Sequence, residues 1–108
     1  MLIVTTENVP GHRVREVRGH CFGVVVRSRG FSGNMKAGVR AFFGGEITEY
    51  TELLEQARAE AIERLEKDAA RKGANAVVMM RFDSSSIGET MSEIVAYGTG
   101  VVLESVQS

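Results

Sequence analysis

Gly73-Ala74-Asn75-Ala76 leads into Val77-Val78-Met79-Met80-Arg81-Phe82, and a polar stretch later comes Glu93-Ile94-Val95-Ala96-Tyr97-Gly98-Thr99-Gly100-Val101-Val102. Both runs read as strands, because they are short, rich in β-branched residues and bounded by glycine and polar residues. Alternation along the second places Met91, Val95, Tyr97, Thr99, Val101 and Leu103 on one face. Ile94, Ala96, Gly98, Gly100 and Val102 take the other. An antiparallel sheet with one wet face alternates apolar and polar residues, and this pattern does not. One helix can cover one face. The expectation is that Tyr97 and its neighbours pack beneath a helix, while the glycine-lined face meets another subunit.

The helix precedes these strands. Tyr50, Leu54, Ala57, Ala61, Leu65 and Ala69 recur every three or four residues, joined by Leu53 and Ile62. Thr48 suits an N-cap, and Gly73 suits the left-handed residue that ends a helix. Glu60 with Arg64, and Glu63 with Lys67, stand four residues apart in the favourable orientation. The spacing predicts a helix from Thr48 to Lys72. Upstream, Leu2–Thr5 reads as a short strand, and Asn8-Val9-Pro10-Gly11 as a turn. His12–Ser28 reads as one long strand, or two with a break at Gly19, whose second half from Cys21 is buried. The glycine-rich stretch from Gly30 to Gly45 is a short helix or a packed loop. Asp83–Glu89 is a loop by composition, which makes the last two strands a hairpin. The tail 105–108 is expected to be disordered. The fold class is α+β: an antiparallel sheet carrying one long helix, with residues 1–108 forming a single domain.

Composition narrows the function. The chain has 108 residues, a net charge of −1 and one cysteine, so an intrachain disulfide is excluded. No apolar run reaches the ~20 residues of a membrane span, and the N-terminus does not resemble a signal peptide. These features favour the cytoplasm and argue against a membrane partner. Charge is uneven: residues 1–45 carry seven Arg/Lys against two Glu, and residues 46–108 carry six against twelve Asp/Glu. A solvated helix face beside a basic sheet edge explains this; meeting of opposite surfaces between subunits is the sharper alternative. Nucleic-acid binding is disfavoured, since few aromatics interleave the arginines.

Candidate chemistry is sparse. Zinc takes about four N, O or S ligands in short paired spacings, and no such pair is present. His20 and Cys21 are the candidate metal ligands, but adjacent strand residues point to opposite faces. The plainer account makes Cys21 a small buried residue and His20 partly exposed. The methionines are better read as core than as a copper(I) site. Ser84-Ser85-Ser86 lacks the Gly-x-Ser-x-Gly context of a nucleophile elbow. Arg40 is a candidate anion contact. Arg40, Tyr50 and Tyr97 together are candidates for a pocket between subunits.

Several of these residues form a pattern with a known counterpart. Gly73-Ala74-Asn75-Ala76-Val77-Val78, Arg81-Phe82, Glu93-Ile94 and Ala96-Tyr97-Gly98-Thr99 resemble the C-terminal signature of the YbjQ-like, or "putative heavy-metal-binding", family. Gly44-Gly45-Glu46, Tyr50-Thr51, Leu54, Ala57-Arg58 and Ala61 fit the same pattern, as do Thr5-Thr6, Gly11 and Gly23 before Val24-Val25. The resemblance spans about residues 2–104. It implies a long helix against an antiparallel sheet, and a homopentamer in which strands of neighbouring subunits form a barrel-like centre. Its label makes a heavy-metal or zinc ion the candidate cofactor; a small ligand is the other candidate partner of such a protein. Alanine at position 41 replaces a common aspartate, and Met79-Met80 stands where a smaller pair is usual. The resulting expectation is a homo-oligomeric binding or scaffold protein. The alternatives are a metal-binding or sensing protein, and an enzyme with a site at the subunit interface.

Overall fold

A computed structural model of the chain describes residues 1–28, 48–88 and 90–106, the side chains of residues 48–50 excepted. The elements are β1 (Leu2–Ile3), β2 (His12–Ser28), α1 (Thr48–Arg71), β3 (Ala76–Ile87) and β4 (Met91–Ser105). They build a four-stranded sheet in the order β1-β3-β4-β2, with α1 on one face. The glycine-rich stretch 30–45 lies outside the described residues.

Several expectations need correction. The sheet is mixed, because β1 runs parallel to β3, with Leu2 opposite Ala76. Strand direction depends on how the chain returns, and a four-residue apolar run carries no sign of it. The serine run is not a loop: β3 continues to Ile87, pairing Ser84, Ser85 and Ser86 with Ile94, Glu93 and Ser92. Ladder pairing with β4 overrides the weak strand propensity of serine. At the C-terminus Ser105 lies in β4, opposite His12, and the Val106 N–H donates to the Gly11 carbonyl at 2.9 Å.

The largest correction concerns which face the helix covers. Ala57, Ala61, Leu65 and Ala69 pack on Cys21, Val25, Ile94 and Ala96, so α1 lies on the small-residue face. Small residues on both sides let the backbones approach closely. A Cβ built on Gly23 would sit 2.5 Å from the Leu65 nitrogen, and nearer still to the Ala61 carbonyl. A Cβ on Gly100 would meet the Cys21 sulfur at 2.8 Å. The glycine-lined face is therefore the helix seat, and Tyr97 faces away from it, 40% exposed. Likewise only Cys21, Gly23 and Val25 of the second half of β2 are buried; Phe22, Val24 and Val26 are exposed.

β2 is one strand, as its uninterrupted pattern allows. Register shifts fall between Val14 and Glu16 and between Val17 and Gly19, and Gly19 has φ 98°. A third irregularity lies between Val78 and Arg81, where Met79 takes φ 57°. This bulge turns Met79 outward and Met80 into the core. Asn75 extends the sheet by side chain: its Nδ2 donates to the Leu103 carbonyl at 3.0 Å and its Oδ1 accepts from the Leu103 N–H at 2.7 Å.

Candidate functional site

The helix-free face of the sheet is the surface that stands out. Phe22 lies opposite Tyr97 and Val24 opposite Val95, so these side chains share one face across β2 and β4. Phe22 is 47% exposed, Val24 40% and Val26 50%. His20 stands at the end of this row, edge to face with Phe22 at 5.0 Å between ring centroids. Arg81, opposite Tyr97, leans to the rim and donates to the Thr5 and Met80 carbonyls at 2.8 Å. Contiguous apolar surface of this kind marks interaction sites more often than chance placement.

The other face holds a polar junction between α1 and the edge of β2. Asp68 is buried on the helix. Its Oδ2 accepts the Phe22 N–H at 2.9 Å and the Lys72 ammonium at 3.0 Å, and its Oδ1 takes Arg71. Burial alone would raise the Asp68 pKa, but the Phe22 N–H, Lys72 and Arg71 outweigh it and hold the carboxyl below its ordinary value. Lys72 also donates to the His20 carbonyl at 2.8 Å, and Arg64 to the Val24 carbonyl at 2.6 Å. These side chains occupy outward-pointing backbone groups of an edge strand and so close that edge.

Cys21 lies beneath this junction, fully buried, with its sulfur 3.7 Å from the Gly19 carbonyl. Burial raises its pKa, opposed by the charge of Lys72 and assisted by that of Asp68. His20 is exposed on the opposite face, so the two candidate ligands are not brought together. Among the described residues no group of three or more His, Cys, Asp or Glu could hold a metal ion. A heavy-metal ion held within one chain does not fit these residues. Tyr97 lies on the open face. Arg40 and the side chain of Tyr50 fall outside the described residues, so the pocket they would form with Tyr97 is not described. Asp68 was legible as the position three residues after Leu65, on the margin of the buried stripe, but among so many helix acids it reads as solvated.

Two clefts remain. One, of about 210 Å³, is lined by Leu2, His12, Asn75, Ala76, Leu103 and Ser105. The other, of about 310 Å³, lies between the start of α1 and the hairpin, lined by Leu54, Ser84, Ser85, Ser86, Ser92 and Ile94. The first holds His12 and Ser105, paired across β2 and β4, with the His12 Nδ1 3.0 Å from the Pro10 carbonyl; the second is lined by serines and two apolar residues, without a base.

The fold and its surfaces therefore define an α+β protein with one helix-covered sheet face and one open apolar face. Comparison with known proteins gives the family. The family model described as "Putative heavy-metal-binding", YbjQ-like, matches residues 1–104, and the chain belongs to this family. It is 62% identical over 104 residues to a UPF0145 protein of Bradyrhizobium sp. (strain ORS 278), covering 96% of this chain and 94% of that one. It is 54% identical over 106 residues to a UPF0145 protein of Thermoplasma acidophilum, covering 98% and 89%. Among solved structures, a DUF74-family protein of unknown function from Pediococcus pentosaceus superposes with a TM-score of 0.69 at 13% identity, covering 96% and 98% of the two chains. That likeness shows the fold. Among the described residues no helix is long and apolar enough to cross a membrane.

Proposed function

We propose that this protein is a non-catalytic, self-assembling binding or scaffold protein. Five copies is the number that the resemblance implies. The observation that carries this reading is the open face. Phe22, Val24, Val26 and Tyr97 form an apolar row that nothing covers among the described residues. Packing this row against another copy removes apolar area from water at roughly 25 cal/mol per Å². Multi-angle light scattering tests it. The wild type is expected to elute as one assembled species at micromolar concentration, and a stable monomer there would end the proposal.

A second reading follows from the family description. His20 is exposed at the end of the open face, so copies meeting there would bring their His20 rings near one another. An ion shared between copies is compatible with His20; Cys21, buried under the helix, is on the wrong side. Titration with zinc by calorimetry checks this. Binding is expected to survive Cys21→Ala and to be lost in His20→Ala, and equal uptake by wild type and His20→Ala rejects the reading.

A further inference from the structure

His12 and Ser105 stand opposite each other at the end of the β2–β4 ladder, in the cleft of about 210 Å³. The Val106 N–H donates to the Gly11 carbonyl at 2.9 Å, just outside this pair. A bond between the two residues flanking a pair marks it as non-hydrogen-bonded, the kind whose side chains stand closer. Directly opposed side chains share a face, with Cβ atoms about 4.5–5.5 Å apart. Register alone therefore makes the Ser105 hydroxyl and the His12 imidazole neighbours.

The turn before β2 orients the imidazole. Its Nδ1 lies 3.0 Å from the Pro10 carbonyl oxygen. A carbonyl only accepts, so Nδ1 carries the proton of the neutral ring and Nε2 keeps a lone pair. Neither Nε2 nor the Ser105 hydroxyl has a hydrogen-bond partner among the described residues. Nucleophile, base and an acceptor that orients the base are the roles that activate a serine hydroxyl, and here a backbone carbonyl takes the orienting role.

Donors for a developing oxyanion lie beside them. Because the His12–Ser105 pair is not hydrogen-bonded, the Ser105 N–H points away from β2, toward the side of β3. β3 begins only at Ala76, opposite Val101, so no strand reaches Ser105 there. The Ser105 N–H is uncommitted among the described residues. Asn75 holds the Leu103 backbone through Oδ1 and one hydrogen of Nδ2, which also fixes the orientation of the amide. Its second Nδ2 hydrogen is free among the described residues, and Asn75 lines the cleft. Leu2, Ala76 and Leu103 supply an apolar wall. The volume equals about seven waters at ~30 Å³ each, which suits a short acyl chain.

We propose that Ser105 is an acylation site for small activated esters, with His12 as its general base. Ser105 Oγ attacks the ester carbonyl carbon while its proton passes to His12 Nε2. The Ser105 N–H and the Asn75 amide receive the oxyanion. The bond from the acyl carbon to the leaving oxygen then breaks, His12 gives the proton to that oxygen, and an acyl-serine remains. This is a single modification of the chain, and it stands independently of the self-assembly reading.

The probe is 4-nitrophenyl acetate, added to wild type, Ser105→Ala, His12→Gln and wild type unfolded in guanidinium. Both replaced residues are exposed, so the variants are expected to keep the wild-type circular dichroism. Folded wild type is expected to release one equivalent of nitrophenolate in a burst, with the acetyl group mapped to Ser105 by peptide mass spectrometry. His12→Gln is expected to slow the burst about a hundredfold, because it keeps a polar side chain and loses the base. Ser105→Ala is expected to lose both burst and label. Acetyl groups on lysines, the Met1 amine or His12 in place of Ser105 overturn the proposal. Equal rates in wild type and His12→Gln overturn the role of His12, and a folded wild type no faster than the unfolded chain overturns the site. Continued release beyond one equivalent, absent in Ser105→Ala, supports the site and replaces the non-catalytic reading with an esterase. Should a variant unfold, wild type treated with a fluorophosphonate takes its place. Label mapped to Ser105 supports the proposal, and label elsewhere or none rejects it.

Discussion

At the residue scale the most constrained side chain is Asp68. Its carboxylate binds a backbone N–H of β2 and two cations of its own helix, so it ties α1 to the sheet edge. Replacing it with alanine leaves the Phe22 N–H without a partner in a part-buried site. The expected cost is about 2–3 kcal/mol, seen as a lower melting midpoint. The sign of its pH dependence follows from its lowered pKa. A depressed carboxylate contributes its full stabilisation above its ordinary value of 3.8 and loses it as pH falls below that toward the folded value. Melting midpoints of wild type and Asp68→Asn should therefore differ by a constant amount near neutrality and converge as pH falls below about 4. A gap that widens in acid would contradict this. Cys21 supplies a second check. Its thiol is buried, and desolvation raises its pKa, so thiolate is scarce and inaccessible. Labelling by a disulfide reagent at neutral pH is expected to be negligible in the native protein and complete in guanidinium. Rapid native labelling would mean that α1 opens readily.

At the element scale, the seat of α1 on the sheet decides the fold. The helix periodicity through Ala57, Ala61, Leu65 and Ala69 was legible, and the observed helix, Thr48–Arg71, ends one residue short of the expected boundary. The ion pairs of Glu60 with Arg64 and Glu63 with Lys67 form as their spacing implies, at 2.6 and 3.6 Å. Legibility failed at the choice of sheet face. Large apolar residues on the Tyr97 face suggested a core, whereas the helix took the face of Gly23, Ala96 and Gly98. Close approach of backbones won over side-chain size, and only two surfaces brought together show that. Gly23→Ala is accordingly expected to cost about 2–3 kcal/mol in urea unfolding, because the clash is with helix backbone rather than a flexible side chain. A change below about 1 kcal/mol would show that the helix can lift without loss. The cation–π contact of Arg58 with Phe82, 5.1 Å from the ring centroid, secures the hairpin end of the same seat.

For the whole molecule the outcome is an extended sheet with one side still exposed. The radius of gyration is 17.6 Å, against roughly 13 Å for a compact chain of about 100 residues. Sequence patterning gave the right sum, two apolar faces and one helix, and assigned the faces the wrong way round. The consequence for assembly survives the exchange, because either face left over is apolar. Val24→Glu tests it at this scale. Val24 is 40% exposed and Arg64 of the helix binds its carbonyl, which a substitution leaves in place, so stability of the single chain should change by less than about 0.5 kcal/mol. Assembly is expected to weaken at least tenfold, as read by sedimentation across a concentration series. An unchanged assembly would move the interface away from this face.

By itself the sequence determined the long helix and the apolar parts of the strands. Those depend on periodicity, capping residues and β-branched runs, all of which are local. It also determined the family, because Gly73 to Val78 and Ala96 to Thr99 are read as they stand. The tertiary structure alone decided the parallel entry of β1, the strand character of Ser84 to Ser86, the burial of Asp68 and the face that carries the helix. Each of these depends on what a second segment places alongside. Hydrogen-bond parity, close backbone approach and desolvation are properties of pairs of elements, and no single stretch of residues encodes them.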